Sequence, residues 1–333
     1  MTGQVKEWLS ARDWKKSDLT NKLLKKQLIS FDVVFDLPVI GKVEWAGIYN
    51  SSLLRCTSEV VAVNDDVFLK KYEGYLLLPD RNRRALEFDY QGSVLSQLKL
   101  HEQHHIPLIA LKEYLQSLKS LEMLSPHLMR QSSKSANDVG RGGEKLSAFL
   151  ANFKGDQRER LLKNLREFYP QVEELEIKTL RYGWKKLLVR EKYSDGNKLL
   201  LETDSRHIND GMLRILTLLA QTQTKHRFLL FDEIENGINP ELIDKLIKTL
   251  LSLEQQVIVT THSPMILNYL PDNIAKESVV LLYKDQVGST KATRFFDLPV
   301  TAKKLRTLGP GEVFADTYLE DVVRDLWHES KNK

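Results

Sequence analysis

The sequence predicts an α/β fold that combines a parallel sheet with an antiparallel β subdomain and a helical insertion. An apolar run without alternation, Phe228–Phe231, and a second predicted buried strand, Val257–Pro264, flank an amphipathic segment, Glu241–Leu253. Such runs are typical of strands covered on both faces, and the order strand, helix, strand predicts a right-handed parallel crossover. Between residues 30 and 90, short β-rich runs are separated by Gly, Pro and Asn-Asp, which predicts an antiparallel meander.

The composition is that of an ordinary globular protein. The chain has 333 residues, of which 42% are hydrophobic and 28% charged, and 49 basic against 45 acidic residues give a formal charge of +4. This excess is too small to argue for nucleic-acid binding by itself. The single cysteine excludes an intrachain disulfide or a cysteine-based zinc cluster and suits a reducing cytoplasm. No apolar run approaches the ~18 residues of a membrane span, so we expect a soluble cytoplasmic protein.

Changes in the spacing of apolar residues along the sequence divide the chain into three predicted regions. Residues 1–92 hold N-terminal helices, of which the second is capped by Ser17 or Asp18 and runs to Ile29, followed by the antiparallel β part. Residues 93–170 form a helical lid insertion, with the polar, glycine-rich stretch Gln131–Gly143 as a linker. Residues 171–333 form a C-terminal lobe, in which two strands surround a turn at Asp195 and Gly196.

Two adjacent carboxylates, Asp232 and Glu233, follow the first apolar strand directly. In open α/β sheets, ligands bind outside the carboxyl ends of the strands. Because two acids at one strand end repel each other, a bound cation would relieve the cost of placing them together. A strand that ends in a solvated acidic turn is an almost equally good interpretation of these residues alone.

Two further segments supply candidate site residues. Asn209, Asp210 and Gly211 lead directly into an apolar helix, whose N-terminus suits a phosphate, although an ordinary N-cap explains the same residues. His262 follows the second apolar strand, and a parallel sheet places it beside Glu233, where it could bind a phosphate. A capping histidine before a helix that opens with proline is the alternative.

Taken together, three motifs resemble the ABC-type branch of P-loop ATPases, in the RecF/SMC/OLD-like group of AAA-family ATPases. Asp-Glu-Ile-Glu-Asn-Gly-Ile-Asn-Pro at residues 232–240 is similar to that group's Walker B motif and D-loop. Thr-Thr-His-Ser-Pro at 260–264 is similar to its switch-histidine motif, and residues 208–220 are similar to its signature helix. The resemblance implies a parallel-sheet P-loop ATPase core like that of ABC and SMC heads.

The resemblance also implies roles for individual residues. Asp232 would coordinate Mg²⁺ through water, Glu233 would be the catalytic base, and His262 would sense the γ-phosphate of ATP. Asn209, which stands where the signature usually has Ser, and Gly211 would contact ATP bound to a partner subunit. The implied cofactors are ATP and Mg²⁺, and the implied partner is a second copy of this chain or another ATPase subunit.

One element of this family is absent from the sequence. No Gly-x-x-x-x-Gly-Lys-Ser/Thr phosphate loop occurs, and Gly-Arg-Gly-Gly-Glu-Lys at 140–145 does not have its spacing. Without the backbone N–H groups of that loop, most affinity for a triphosphate should be lost. The sequence is therefore either a truncated or split product, or a partner that has lost nucleotide binding.

Three functions remain open at this point. The first is an ATPase that acts in DNA repair or anti-phage defence and controls an effector nuclease or toxin. The second is a non-hydrolysing regulatory protein on the same fold, and the third is a nuclease that uses Asp232, Glu233 and Glu235. DNA is a further candidate partner because basic residues cluster near the meander, although such clusters are more often solvated. These residues are Lys70, Lys71, Arg81, Arg83 and Arg84.

Overall fold

A computed structural model describes residues 4–23, 25–72, 74–79, 83–101, 104–121, 124–194 and 198–331. The fold is mixed α/β and forms two compact units, Met1–Leu118 and Lys119–Lys333. The predicted insertion at 93–170 is therefore divided between the two units. The predicted turn at Asp195 and Gly196 lies outside the described residues.

The first unit is built on a six-stranded antiparallel sheet in which neighbours in sequence are neighbours in space. This arrangement confirms the predicted meander. The strands are β1 Leu28–Leu37, β2 Gly41–Asn50, β3 Arg55–Val63, β4 Asp66–Tyr72, β5 Tyr75–Leu77 and β6 Arg83–Ala85.

The N-terminal segment is less helical than the sequence predicts. Helix α1 spans Val5–Ser10, but the second predicted helix is only a 3-10 turn at Lys16–Leu19. The Asp18 carboxylate accepts the Lys15 N–H at 2.8 Å and caps this turn. The predicted continuation to Ile29 is wrong because β1 already begins at Leu28 and pairs with β2 along its whole length. The pairing of β1 with β2 therefore determines the conformation of this segment, although its apolar residues have the spacing of a helix.

A buried glutamate ties the meander to the segment that follows it. Glu59 of β3 is fully buried. Its carboxylate accepts the Trp45 indole N–H at 2.9 Å, the Val94 N–H at 2.9 Å and the Ser93 hydroxyl. Burial raises the pKa of Glu59 above its ordinary value, and the three donors counteract this effect. Helix α2, Ile106–Gln116, then packs Leu108 and other apolar residues into the same core.

The second unit contains a small sheet in the order β12, β11, β7. Strands β11, Phe228–Phe231, and β12, Gln256–Val259, are parallel and in direct register from Phe228 opposite Gln256 to Phe231 opposite Val259. Helix α7, Pro240–Leu251, connects them, so the predicted strand, helix, strand unit is present. Strand β7, Leu118–Leu121, was predicted to be helical, and this prediction is wrong. Its four residues are too few to show a strand period.

An antiparallel sheet in the order β10, β9, β8 and a buried helix complete this core. The Gln131–Gly143 stretch lies within the second unit, where Ser133 and Lys185 exchange backbone hydrogen bonds of 3.2 and 2.7 Å. The strands are β8 Val172–Thr179, β9 Lys185–Ser194 and β10 Lys198–Asp204, and the helices are α3 Pro126–Met129, α4 Leu146–Leu150, α5 Gly155–Phe168 and α6 Asp210–Thr222.

The C-terminal part adds a hairpin and short helices. They are α8 Pro264–Leu267, α9 Asp272–Ser278, β13 Val280–Lys284, β14 Thr290–Arg294, α10 Pro299–Lys304, α11 Pro310–Ala315 and α12 Leu319–Lys331. Among the described residues, no helix is long and apolar enough to cross a membrane.

We predict that Glu59→Ala destabilises the first unit strongly. Each buried donor that loses its acceptor costs about 1–3 kcal/mol, and Glu59 serves three donors. Urea denaturation followed by tryptophan fluorescence measures the loss. Glu44→Ala, at an exposed position on neighbouring β2, is the matched control and should change the unfolding free energy by less than about 0.5 kcal/mol. Equal losses in both variants would contradict the role of Glu59.

Candidate functional site

The carboxyl ends of β11 and β12 are joined by the side chain of Thr260. Its hydroxyl donates to the Asp232 carboxylate and accepts the Glu233 backbone N–H at 2.9 Å. The Thr260 N–H in turn donates to the Phe231 carbonyl at 2.9 Å. One threonine therefore fixes both acidic residues relative to the sheet. The sequence placed Thr260 in a motif but gave no signal for this contact.

Glu233 has a backbone conformation that is unusual for a residue with a side chain. Its φ is +46°, in the left-handed region, and this conformation costs roughly 1–3 kcal/mol for a residue other than glycine. The Thr260 hydroxyl and a bond from the Asn236 N–H to the Glu233 carbonyl, 3.0 Å long, hold this backbone. Strain of this kind is typical of functional sites, where the surrounding structure fixes the direction of a side chain.

His262 lies close to the Glu233 carboxylate, as the parallel sheet predicts. The distance from His262 Nε2 to Glu233 Oε1 is 4.0 Å, and the imidazole is 88% exposed. The loop that carries it is held by Glu235, whose Oε1 accepts the His262 N–H at 3.0 Å and the Thr261 hydroxyl at 2.9 Å. Glu235 is thus a positioning residue for the histidine loop.

The predicted phosphate-binding residues lie at the start of α6. Asn209 is the N-cap, and its Oδ1 accepts the Met212 N–H at 2.7 Å. A β-carbon at Gly211 would lie 3.1 Å from the Gly237 carbonyl oxygen, so glycine lets α6 approach the turn that follows the acids. Both residues therefore have structural roles, and contact with ATP stays a prediction for them.

Arg214, one turn further along α6, was not singled out from the sequence. A β-carbon at Gly237 would lie 3.1 Å from Arg214 Nε, and that Nε is buried without a hydrogen-bond partner in the described part of the chain. Burial lowers the pKa of Arg214, and the charges of Asp210 and Glu233 counteract this effect. A half-buried cation thus lies near the acidic pair on the side of α6.

The arrangement fits a magnesium ion that is held mainly by water and phosphate. Mg²⁺ typically uses one or two protein carboxylates, and Asp232 is an exposed carboxylate at this position. Within the described ranges, no three His, Cys, Asp or Glu side chains form a group that could hold a metal ion. Glu235 faces the histidine loop instead of joining Asp232 and Glu233, which disfavours the predicted three-carboxylate nuclease centre.

Two residues of the predicted basic cluster on the meander, Lys71 and Arg83, make contacts within the protein. Lys71 is buried and donates to the Thr57 carbonyl, so it does not offer its charge to a phosphate. The Arg83 guanidinium lies 3.6 Å from the centre of the Tyr75 ring. Arg81 lies outside the described residues, and DNA binding stays a prediction.

A family model matches the part of the chain that contains this site. Residues 118–268 match the family described as "AAA domain, putative AbiEii toxin, Type IV TA system". This segment is similar to the AAA domains of that family. The match includes α6, both parallel strands and the histidine loop, and it supports the resemblance to AAA-family ATPases. Nucleotide binding is the activity that this family implies.

Solved structures of SMC heads are similar to this chain at low identity. The SMC head domain from Thermotoga maritima is 9% identical, covers 81% of this chain and 74% of its own, and has a TM-score of 0.40. An SmcHead bound to the C-winged helix domain of ScpA is 11% identical, with 80% and 74% coverage and a TM-score of 0.35. No curated protein matches the chain.

We predict that glycine is better tolerated than alanine at position 233. Both substitutions remove the carboxylate, but glycine adopts φ of +46° without strain, so Glu233→Gly should be more stable than Glu233→Ala by about 1 kcal/mol. Chemical denaturation of the two variants measures the difference. At exposed Lys248 in α7, the order should reverse, because glycine destabilises a helix by about 1 kcal/mol relative to alanine. The same order at both positions would contradict the strained backbone.

Proposed function

We propose that the chain supplies the metal-binding and water-orienting part of an ATP hydrolysis site. The observation that carries this proposal is the Thr260 bridge between Asp232 and Glu233, with His262 Nε2 4.0 Å from Glu233. These groups lie at the carboxyl ends of two parallel strands, where ligands of open α/β sheets bind.

Each side chain has a distinct role in this proposal. Asp232 holds Mg²⁺ through water, and its orientation is set by the Thr260 hydroxyl. When bound, Mg²⁺ neutralises negative charge on the phosphates. Glu233 orients the attacking water and accepts its proton, for which its fixed backbone direction is suited. His262, exposed and held by Glu235, donates a hydrogen bond to the terminal phosphate.

We further propose that two heads enclose the nucleotide. The N-terminus of α6 has backbone N–H groups and a positive dipole end that suit a phosphate. Asn209 is exposed at this end, while Gly211 allows the helix to start close to the turn after the acids. In this proposal, Asn209 and Gly211 serve ATP held mainly by the partner subunit, which is a second copy or a related ATPase chain. One similar SMC structure, which is 14% identical to this chain with a TM-score of 0.29, is described in terms of ATP-driven dimerization and DNA-stimulated activation of SMC ATPases.

The biological setting that we propose is control of an effector in the cytoplasm. The matching family is described with a toxin of a toxin–antitoxin system, which favours a toxin or nuclease effector and a role in anti-phage defence or DNA repair. The one cysteine, Cys56, is buried and unpaired, which suits a reducing compartment.

A second candidate function is a non-hydrolysing regulator on the same fold. It is favoured by the absence of a Gly-x-x-x-x-Gly-Lys-Ser/Thr loop from these 333 residues. Calorimetric titration with Mg-ATP separates the two functions. Binding of Mg-ATP accompanied by turnover supports the ATPase. If Mg-ATP does not bind to the chain alone and does not bind after a phosphate-loop segment is added, the regulator is supported.

We predict that, with a phosphate-loop segment added, Glu233→Gln lowers the rate of ATP hydrolysis by about 10²–10⁴-fold while Mg-ATP binding is retained, because the amide cannot accept a proton from water. A coupled assay of phosphate release measures turnover, and calorimetry measures binding. Glu241→Gln, the same change at an exposed position in the first turn of α7, should leave both unchanged. Undiminished hydrolysis in Glu233→Gln would rule out the proposed base.

A further inference from the structure

A cavity of about 590 Å³ lies in the second unit. Its volume falls within the range of about 300–1,000 Å³ that is typical of ligand pockets. Residues at the end of α3, at the start of β9 and after β10 line it, and none of the residues assigned to ATP is among them. The lining includes His127, Arg130, Leu180, Lys186, Ser205 and Arg206. The cavity is therefore separate from the acidic strand ends.

Hydrogen bonds between chain segments fix the walls of this cavity. The buried Ser205 hydroxyl donates to the Arg130 carbonyl at 2.9 Å. The Arg130 guanidinium donates to the Ile208 carbonyl at 2.8 Å and to the Asp210 carboxylate. These bonds join the end of α3 to the segment that leads into α6. Because the protein itself makes these contacts, the cavity does not depend on a ligand for its shape.

One carboxylate orients two of the cations that line the cavity. The Lys186 ammonium contacts the Asp204 carboxylate, and the Arg206 guanidinium bonds to both of its oxygens at 3.4 and 3.1 Å. Burial raises the pKa of Asp204, but the hydrogen bonds from Arg206 and Lys186 outweigh this effect and hold that pKa well below its usual range. Asp204 is not among the residues that line the cavity. It therefore aligns the two cations and leaves the cavity itself free of negative charge.

The charges of the lining select an anion that binds without a metal ion. Arg130, Lys186 and Arg206 line the cavity, and none of the lining residues in the described part of the chain is acidic. Two carboxylates, Asp204 and Asp210, pair with these three cations, so one positive charge remains. Guanidinium and ammonium groups form strong, charge-assisted hydrogen bonds with phosphate oxygens. A lining without carboxylates offers no ligands for Mg²⁺, so the phosphate would be held by the cations alone.

The lining also has an apolar part. Leu180 is 43% exposed, and Lys186 is mostly buried, so its methylene groups lie along the protein while its ammonium contacts Asp204. We propose that the cavity binds an organic phosphate monoester, with its phosphate held by Arg130, Lys186 and Arg206 and its organic group against Leu180. This site goes beyond the proposed function, because it requires neither Mg²⁺ nor the acidic pair.

The test is calorimetric titration of the full chain with adenosine monophosphate in the presence of EDTA. We expect adenosine monophosphate to bind at least about tenfold more tightly than adenosine, which lacks the phosphate, and than inorganic phosphate, which lacks the organic group. Lys186→Met and Arg206→Gln should each weaken binding at least about tenfold, because each removes a charge-assisted hydrogen bond. Arg181→Gln removes an exposed charge outside the lining and should change the affinity less than about threefold. Asp232→Ala should have no effect.

Four results would overturn the proposal. They are no binding at millimolar adenosine monophosphate, equal affinity for inorganic phosphate, an equal loss in Arg181→Gln, and loss of binding in Asp232→Ala, which would place the ligand at the acidic strand ends. Circular dichroism shows whether each variant keeps its fold. If Lys186→Met does not fold, Arg206→Gln decides the test, because its side chain is 69% exposed and its removal disturbs little packing.

Discussion

The hydroxyl of Thr260 is the contact on which the candidate site depends. It joins the end of β12 to the acidic pair after β11, through the Asp232 carboxylate and the Glu233 N–H. Without this bridge, the two adjacent carboxylates at the end of β11 would repel each other, and their orientations would not be fixed. With it, the Asp232 carboxylate is fixed by a hydrogen bond, and the Glu233 backbone is held in a strained conformation with its carboxylate near His262. The rest of the second unit, from the crossover helix α7 to the loop fixed by Glu235, keeps these two strand ends together.

Much of this arrangement follows from patterns in the sequence. Apolar runs without alternation predicted the two parallel strands, and the acids and the histidine that follow them were expected at one edge because parallel strands end together. Three features of the site could not be predicted from the sequence, because they depend on the tertiary structure. These are the Thr260 bridge, the left-handed conformation of Glu233 and the approach of Arg214 to Gly237. Strand β7 was missed because pairing with β11 decides its conformation, and its own four residues do not.

The comparison of sequence with structure also gives an unexpected result for β12, which lies at the edge of its sheet among the described residues. The sequence of β12 predicts a strand covered on both faces, whereas Ile258 is nearly half exposed. A disagreement of this kind between local sequence and structure is expected where a protein meets a partner or a ligand. Here it occurs at the strand whose end carries Thr260 and His262.

The most direct measurement of the central contact is a double-mutant cycle between Thr260→Val and Glu233→Gly, read from free energies of unfolding. If the Thr260 hydroxyl holds Glu233 in its strained conformation, Thr260→Val should cost less when position 233 is glycine, with a coupling energy of at least about 0.5 kcal/mol. The same cost in both backgrounds, within about 0.3 kcal/mol, would show that the hydroxyl does not maintain this backbone and would contradict the account.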